Sequence, residues 1–265
     1  MGALSQLAVE AVSLAYPNAR DGSSFLALSN IDLAVERGEL VTVVGPSGCG
    51  KSSLLMLIAA LAKPTSGTIS LNGVPVTRPG PDRALVFQDF ALLPWRTVLS
   101  NVELGLELKG MPAEERRARA REHIAKVGLR DFESAFPHQL SGGMRQRVGI
   151  ARALCVEPEI LLMDEPFGAL DAQIRQLMAV ELLKIWERDR KTIVFITHDI
   201  DEAIYLADRV FVMSASPGRF IETIAVDLPR PRSLDVRSRP EFAAYRDRIW
   251  GLLEEQVRST LNWAS

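Results

Sequence analysis

Eight residues, Gly45-Pro46-Ser47-Gly48-Cys49-Gly50-Lys51-Ser52, constrain this chain more than any other stretch. Glycine, four free positions, glycine, lysine and a hydroxyl residue make a loop whose backbone N–H groups turn inward around an anion. Lys51 adds a point charge for the outer phosphates, and the Ser52 hydroxyl is placed to ligate Mg²⁺. The pattern carries this meaning only between a strand and a helix. Leu40–Val44 reads as a buried strand, and Ser53–Ile58 opens an apolar helix. The helix N-terminus adds its own positive end to the site. Gly45, Pro46, Ser47, Gly48, Cys49, Gly50, Lys51, Ser52 and Ser53 are therefore the first candidate phosphate-binding residues.

A second anion site follows downstream. Leu140-Ser141-Gly142-Gly143 runs directly into Gln146–Leu154, a strong helical pattern. Ser141, Gly142 and Gly143 thus lie at a helix N-terminus, with free N–H groups and little side-chain bulk. One nucleotide loop has no obvious use for a second phosphate clamp unless two chains share their nucleotides.

With these stretches the chain resembles the ATP-binding subunit of an ABC transporter, over nearly its whole length and with the motifs in that family's order. Ile160–Asp164 resembles the Walker B strand, and Glu165 stands at the catalytic-glutamate position. Gln88 resembles the Q-loop glutamine, Asp171 the D-loop aspartate and His198 the switch histidine. Tyr16 stands where the family places an aromatic that stacks on adenine. The resemblance implies ATP and Mg²⁺ as cofactors, with Ser52, Gln88 and Asp164 around the metal. It also implies a head-to-tail dimer with a second copy, in which Ser141 and Gly143 of one subunit grip the γ-phosphate bound by the other. Met144 and Ser53 depart from the commonest family residues, but neither removes a backbone phosphate contact.

The chemistry of these residues agrees. Asp164 ends an apolar strand and suits Mg²⁺ opposite Ser52. Glu165, one residue on, is the candidate to position or deprotonate the attacking water. His198 follows the strand Thr192–Ile196 and so projects from the carboxyl end of a sheet, where open α/β folds bind ligands. His123 and His138 fall outside the series and are assigned no catalytic role.

The expected fold is α/β: a P-loop NTPase (RecA-like) core with a parallel sheet, an N-terminal antiparallel β-subdomain and an inserted α-helical subdomain. Strands are expected at Leu7–Leu14, Ile31–Val35, Thr68–Leu71, Ala84–Phe87, Ile160–Met163, Ile193–Ile196 and Val210–Met213. A polar loop, Pro17–Ser24, joins the first two, and a helix is expected over Ile174–Trp186. The charged helix Glu114–Glu122 places the inserted helical subdomain at about 89–155. Pro229-Arg230-Pro231-Arg232 then breaks regular structure. The expected division is an ATP-binding domain over 1–235 and a helical tail over 236–265, with Phe242–Val257 helical.

Composition narrows the function. A net charge of −2 and a pI near 6.0 do not describe a nucleic-acid surface. The longest apolar run near the loop, Leu54–Ala62, is far short of the roughly 20 residues a membrane span needs. Neither a signal peptide nor a fused membrane segment is expected. Two cysteines, Cys49 and Cys155, suggest a reduced, cytosolic setting, and Cys49 is expected to fill space rather than react. Phe87–Trp95, with Leu-Leu-Pro-Trp after Gln88, resembles the nitrate, sulfonate and taurine importer branch, as do Ser214–Arg219 and Arg239–Phe242. That branch implies a peripheral subunit at the cytoplasmic face of the inner membrane, bound to permease subunits and served by a solute-binding protein. Part of Phe90–Trp95 is expected to line a groove for a permease helix. The alternative, a soluble ABC ATPase acting on nucleic acid or ribosomes, usually has two cassettes or a long coiled-coil insertion, and neither is present.

Overall fold

The computed structural model describes residues 5–17, 23–89 and 91–261. Phe90, most of the loop expected at 17–24, and the last four residues of the tail lie outside the described residues. The chain divides into two compact units, 1–80 with 190–265, and 81–189.

The first unit opens with β1 (Leu7–Pro17) and β2 (Ser24–Val35), an antiparallel pair running from Leu7↔Val35 to Pro17↔Ser24. β2 is far longer than the expected Ile31–Val35. Its first half breaks the apolar alternation at Ser29 and Asn30, and Asn30 has a left-handed φ of 49° where the ladder shifts register. Next come β3 (Leu40–Val44), α1 (Lys51–Ile58), β4 (Ser66–Leu71) and the short β5 (Val74–Pro75). β4 pairs antiparallel with both β1 and β5, giving a four-stranded antiparallel sheet in the order β2-β1-β4-β5.

The second unit begins at β6 (Arg83–Val86) and continues through α2 (Val98–Val102), α3 (Leu104–Leu108), α4 (Ala113–Lys126) and α5 (Gly142–Cys155). It ends with β7 (Ile160–Asp164) and α6 (Ala172–Asp189). β6 and β7 run parallel, from Arg83↔Ile160 to Val86↔Met163. α5 is the hub, packing on α2, α3, α4 and β6. Its buried Val148, Ile150, Ala151 and Leu154 recur at helical spacing, while α4 turns Arg117, Arg121 and Glu122 outward.

The chain then returns to the first unit with β8 (Thr192–Ile196), α7 (Ile200–Leu206), β9 (Arg209–Met213), β10 (Phe220–Ala225) and α8 (Pro240–Leu261). β3 lies between β8 and β9 and is parallel to both; β10 closes the edge antiparallel to β9. Every residue of β3 and β8 is buried, as expected of parallel strands covered on both faces. The fold is that of a P-loop NTPase: parallel strands with helices, an antiparallel sheet and a helical subdomain. α8 is anchored by Phe242 and Ile249, both fully buried.

One polar group organises the loop after β6. Asn101 is fully buried on α2. Its Oδ1 accepts from Leu93 N at 2.8 Å, and its Nδ2 donates to the carbonyls of Leu93, Arg96 and Thr97 at 3.1, 2.9 and 3.0 Å. A side chain thereby replaces the secondary structure that Leu93–Thr97 lacks. Asn101→Ala should lower stability by about 2–4 kcal/mol, because it strands several backbone groups rather than one. Urea unfolding measures this, and a loss under about 0.5 kcal/mol, ordinary for a surface change, would refute the assignment.

Candidate nucleotide and catalytic site

The first unit holds the P-loop, Tyr16 and His198; the second holds Gln88, Ser141, Gly142, Gly143, Asp164, Glu165 and Asp171.

β3 delivers the chain into the P-loop at Val44, and α1 begins at Lys51. Gly50 caps α1 with φ 102°, and a Cβ there would meet Leu28 Cδ2 at 2.6 Å and the Ala27 carbonyl at 3.0 Å. Only glycine satisfies both demands. Ser47, Gly48 and Ser52 are exposed, whereas Lys51 is buried. Lys51 Nζ donates to the carbonyls of Gly45 and Pro46, at 2.9 Å each. The ammonium therefore sits against the loop's own backbone. Cys49 is buried, and burial raises its thiol pKa against the opposing pull of Lys51. A buried neutral thiol fills space, in line with expectation.

The loop is braced from behind by the turn Ser214–Arg219. Gly218 N donates to the Ala27 carbonyl, and the Gly218 carbonyl accepts from Ser29 N, both at 2.9 Å. A Cβ on Gly218 would lie only 2.0 Å from the Cys49 carbonyl oxygen. The turn itself is held by Ser214, whose Oγ accepts from Arg219 N at 3.1 Å and donates to the Pro217 carbonyl at 3.1 Å. Sequence reasoning missed this brace; Ser214–Arg219 entered it only as a stretch resembling the nitrate, sulfonate and taurine importer branch.

Tyr16 lies near the end of β1, two-fifths exposed, paired across the hairpin with Phe25. Its hydroxyl is 3.2 Å from Ser53 Oγ, which ties the ring to the first turn of α1. His198 is exposed at the corner between β8 and α7. The corner is fixed on both sides: Thr197 N donates to the Val43 carbonyl at 3.2 Å, and Asp199 N donates to Thr197 Oγ1 at 3.0 Å. Asp199 then caps α7 by accepting from Glu202 N at 3.0 Å.

In the second unit, β7 buries its four apolar residues and ends on the half-buried Asp164. Glu165 follows with φ 42°, in the left-handed region that non-glycine residues rarely occupy. Its carbonyl accepts from Gly168 N at 2.9 Å, closing a turn. A Cβ on Gly168 would come within 3.1 Å of Gln88 Nε2, so the glycine makes room for Gln88 beside the Glu165 turn. A lone loop glycine gave no sequence signal for that role. Ser141 caps α5, accepting from Met144 N at 3.3 Å. Gly142 and Gly143 open the helix, where the first N–H groups lack intrahelical acceptors. Cβ atoms on them would touch Leu170 and Ile174 at 3.2 and 3.1 Å, so the helix start sits against the Asp171 segment. Asp171 is exposed and caps α6, its Oδ1 accepting from Gln173 N and Ile174 N at 3.1 Å each.

The other histidines have structural surroundings. His123 is buried, its Nδ1 lies 3.0 Å from the Arg119 carbonyl, and burial lowers its pKa. His138 stacks on Phe136 at 5.9 Å.

The candidate Mg²⁺ donors are the hydroxyl of Ser52 in the first unit and, in the second, the amide oxygen of Gln88 and the carboxylate of Asp164, each a hard oxygen group of the kind Mg²⁺ prefers. Among the described residues no group of three or more His, Cys, Asp or Glu could form a metal cage. One carboxylate plus substrate phosphates is the usual arrangement for Mg²⁺.

Comparison with known proteins gives the family of the chain. Residues 28–168 match the family described as ABC transporter. The chain is 54% identical over 241 residues to an uncharacterized ABC transporter ATP-binding protein of Methanocaldococcus jannaschii, covering 91% of this chain and 89% of that one. It is 49% identical to the nitrate import ATP-binding protein of Synechocystis sp., covering 87% and 89% respectively. A solved dimeric ATP-binding cassette in a post-hydrolysis state, bound to ADP and phosphate, superposes with a TM-score of 0.72 at 36% identity, covering 84% of this chain and all of that one.

The brace behind the P-loop predicts a remote effect. Gly218→Ala should weaken ATP binding by about tenfold, since an atom forced against the Cys49 carbonyl must displace the loop, an overpacking cost of roughly 1–3 kcal/mol. Equilibrium titration with a fluorescent ATP analogue reads the loss, and unchanged affinity in a folded variant would refute the brace.

Proposed function

This chain belongs to the ABC transporter family of ATP-hydrolysing cassettes, and from that premise we propose that it drives import of a small anionic solute. Nitrate is favoured over taurine or an alkanesulfonate. The observation that carries this is the nitrate import relative, which aligns over nearly nine-tenths of both chains. The Leu92-Leu93-Pro94-Trp95 segment supports the same branch.

In this reading Tyr16 stacks on adenine, and Gly45 to Ser53 cradle the phosphates with backbone N–H groups and Lys51. Ser52, Asp164 and Gln88 hold Mg²⁺, which neutralises charge on the transferring phosphoryl group when bound. Glu165 orients and deprotonates water; its left-handed backbone suits a catalytic position, where strain concentrates. His198 contacts the γ-phosphate. Ser141, Gly142 and Gly143 grip the γ-phosphate of ATP bound by a second copy, with Asp171 at the same seam. The dimeric ADP-bound cassette supports that pairing. ATP then joins the dimer and hydrolysis releases it, a population shift set by differential affinity for ATP over ADP.

The partners are permease subunits and, through them, a solute-binding protein. Among the described residues no helix is long and apolar enough to cross a membrane. The likeness to an import ATP-binding protein supports a peripheral place on the cytoplasmic face of the inner membrane. Trp95 is 71% exposed on the loop pinned by Asn101, and we place the permease helix there, beside the half-buried Leu92 and Leu93 of the same loop. Domain limits of 1–235 and 236–265 belong to the same proposal.

Glu165→Gln should retain ATP binding and lose at least about a hundredfold in turnover, the scale of general-base catalysis. It should also accumulate as an ATP-dependent dimer on size exclusion. Ser141→Arg in the same background should abolish that dimer while leaving monomer affinity intact. A dimer that survives the arginine means the shared site is wrong.

Trp95→Glu should leave ATP binding by the isolated subunit unchanged and prevent co-purification with its permease. Normal assembly and transport by this variant would place the docking groove elsewhere.

A further inference from the structure

α7 carries His198 and Asp199 at its start and is only seven residues long. Two turns do not hold themselves together in water. The last carbonyls of such a helix also lack intrahelical donors. Two arginines from the segment between β10 and α8 supply them. Arg232 Nη1 donates to the carbonyls of Ile204, Tyr205 and Ala207 at 3.0, 3.0 and 2.8 Å. Its Nη2 donates to those of Val226 and Leu228 at 3.1 and 3.4 Å. Arg230 Nη2 donates to the Leu206 carbonyl at 2.7 Å and pairs with Asp208 at 2.8 Å. Four consecutive carbonyls, Ile204 to Ala207, therefore end on guanidinium groups.

The clamp closes on itself. The Tyr205 hydroxyl donates to the Arg232 carbonyl at 3.0 Å, and the Arg237 guanidinium lies 4.9 Å from the centre of the Tyr205 ring. Arg232 is only 6% exposed, and burial pushes its pKa down to about 10. Its acceptors above are all neutral carbonyls. Glycine ends many helices without burying a charge, and burying a cation costs several kcal/mol. A guanidinium does what glycine cannot: its rigid fork fixes where the helix end lies relative to the chain at Val226 and Leu228. The far end of α7 is about 10 Å away at 1.5 Å per residue. There, Asp199 caps the helix and the Thr197 bonds fix the strand side, leaving His198 between them.

We propose that Arg232 is a positioning residue for His198, acting through α7 as a rigid strut. The proposal rests on the reading of His198 as the γ-phosphate contact. Its chemistry is indirect: Arg232 touches no substrate, and its effect on hydrolysis passes through His198.

The test is a double-mutant cycle in the full chain, with Arg232→Gln, His198→Ala and both together, reading ATP hydrolysis and thermal stability. Arg232→Gln should lower kcat about tenfold, with KM within about twofold, as expected when a catalytic group is misplaced while binding groups stay put. In the His198→Ala background it should lower kcat no further. Multiplicative losses, a KM-only effect or parental kcat would overturn the proposal. Parental hydrolysis by His198→Ala would overturn it too, by removing the reading of His198 beneath it. Loss in His198→Ala with none in Arg232→Gln would leave that reading standing and sink only the strut. If Arg232→Gln does not fold, Arg232→Lys replaces it in the same cycle with the same criteria, since lysine keeps charge and donors but not the planar fork.

Discussion

A phosphate loop works through its backbone, so something other than its own side chains must hold its shape. Here that constraint is close backbone packing on two sides. Leu28 and the Ala27 carbonyl press on Gly50, and Gly218 presses on the Cys49 carbonyl. Each contact tolerates no Cβ. The β2 strand, the turn after β9 and the start of α1 are therefore mutually dependent. The anion site is as much a product of the Ser214–Arg219 turn as of the motif itself.

Strand ends do the rest of the placing. β3, β7 and β8 each end where a candidate residue begins: the P-loop, Asp164 with Glu165, and His198. Buried apolar strands cannot shift register without exposing their cores, so residues at their carboxyl ends inherit that rigidity. Short-range hydrogen bonds then set the final orientation. Asp199 and Thr197 do so for His198 and Ser141 does so for the start of α5, while the missing side chain of Gly168 leaves room for Gln88.

Most of the fold class was legible because its evidence is local. Leu40–Val44 and Ile193–Ile196 are unbroken apolar runs, and α5 shows helical periodicity right after a Ser-Gly-Gly start. The P-loop and the family's motif series were legible for the same reason. What stayed hidden depends on distant pairing. β2 extends to Ser24 only because β1 offers it partners, although its own alternation fails at Ser29 and Asn30. Asn101 reads as an ordinary polar helix residue until Leu93–Thr97 folds over it. The two prolines around Arg230 and Arg232 signalled a break in regular structure, but not that both guanidiniums turn back onto α7.

The two carbonyl bonds of Lys51 bear on which ions the loop accepts. A resting lysine in open solvent would greet any passing anion on equal terms. This one already has oxygen partners at 2.9 Å. Two of its three donors are engaged by neutral carbonyls, which a charged phosphate oxygen outcompetes. The same two bonds tie the charge that serves the phosphates to the backbone that cradles them.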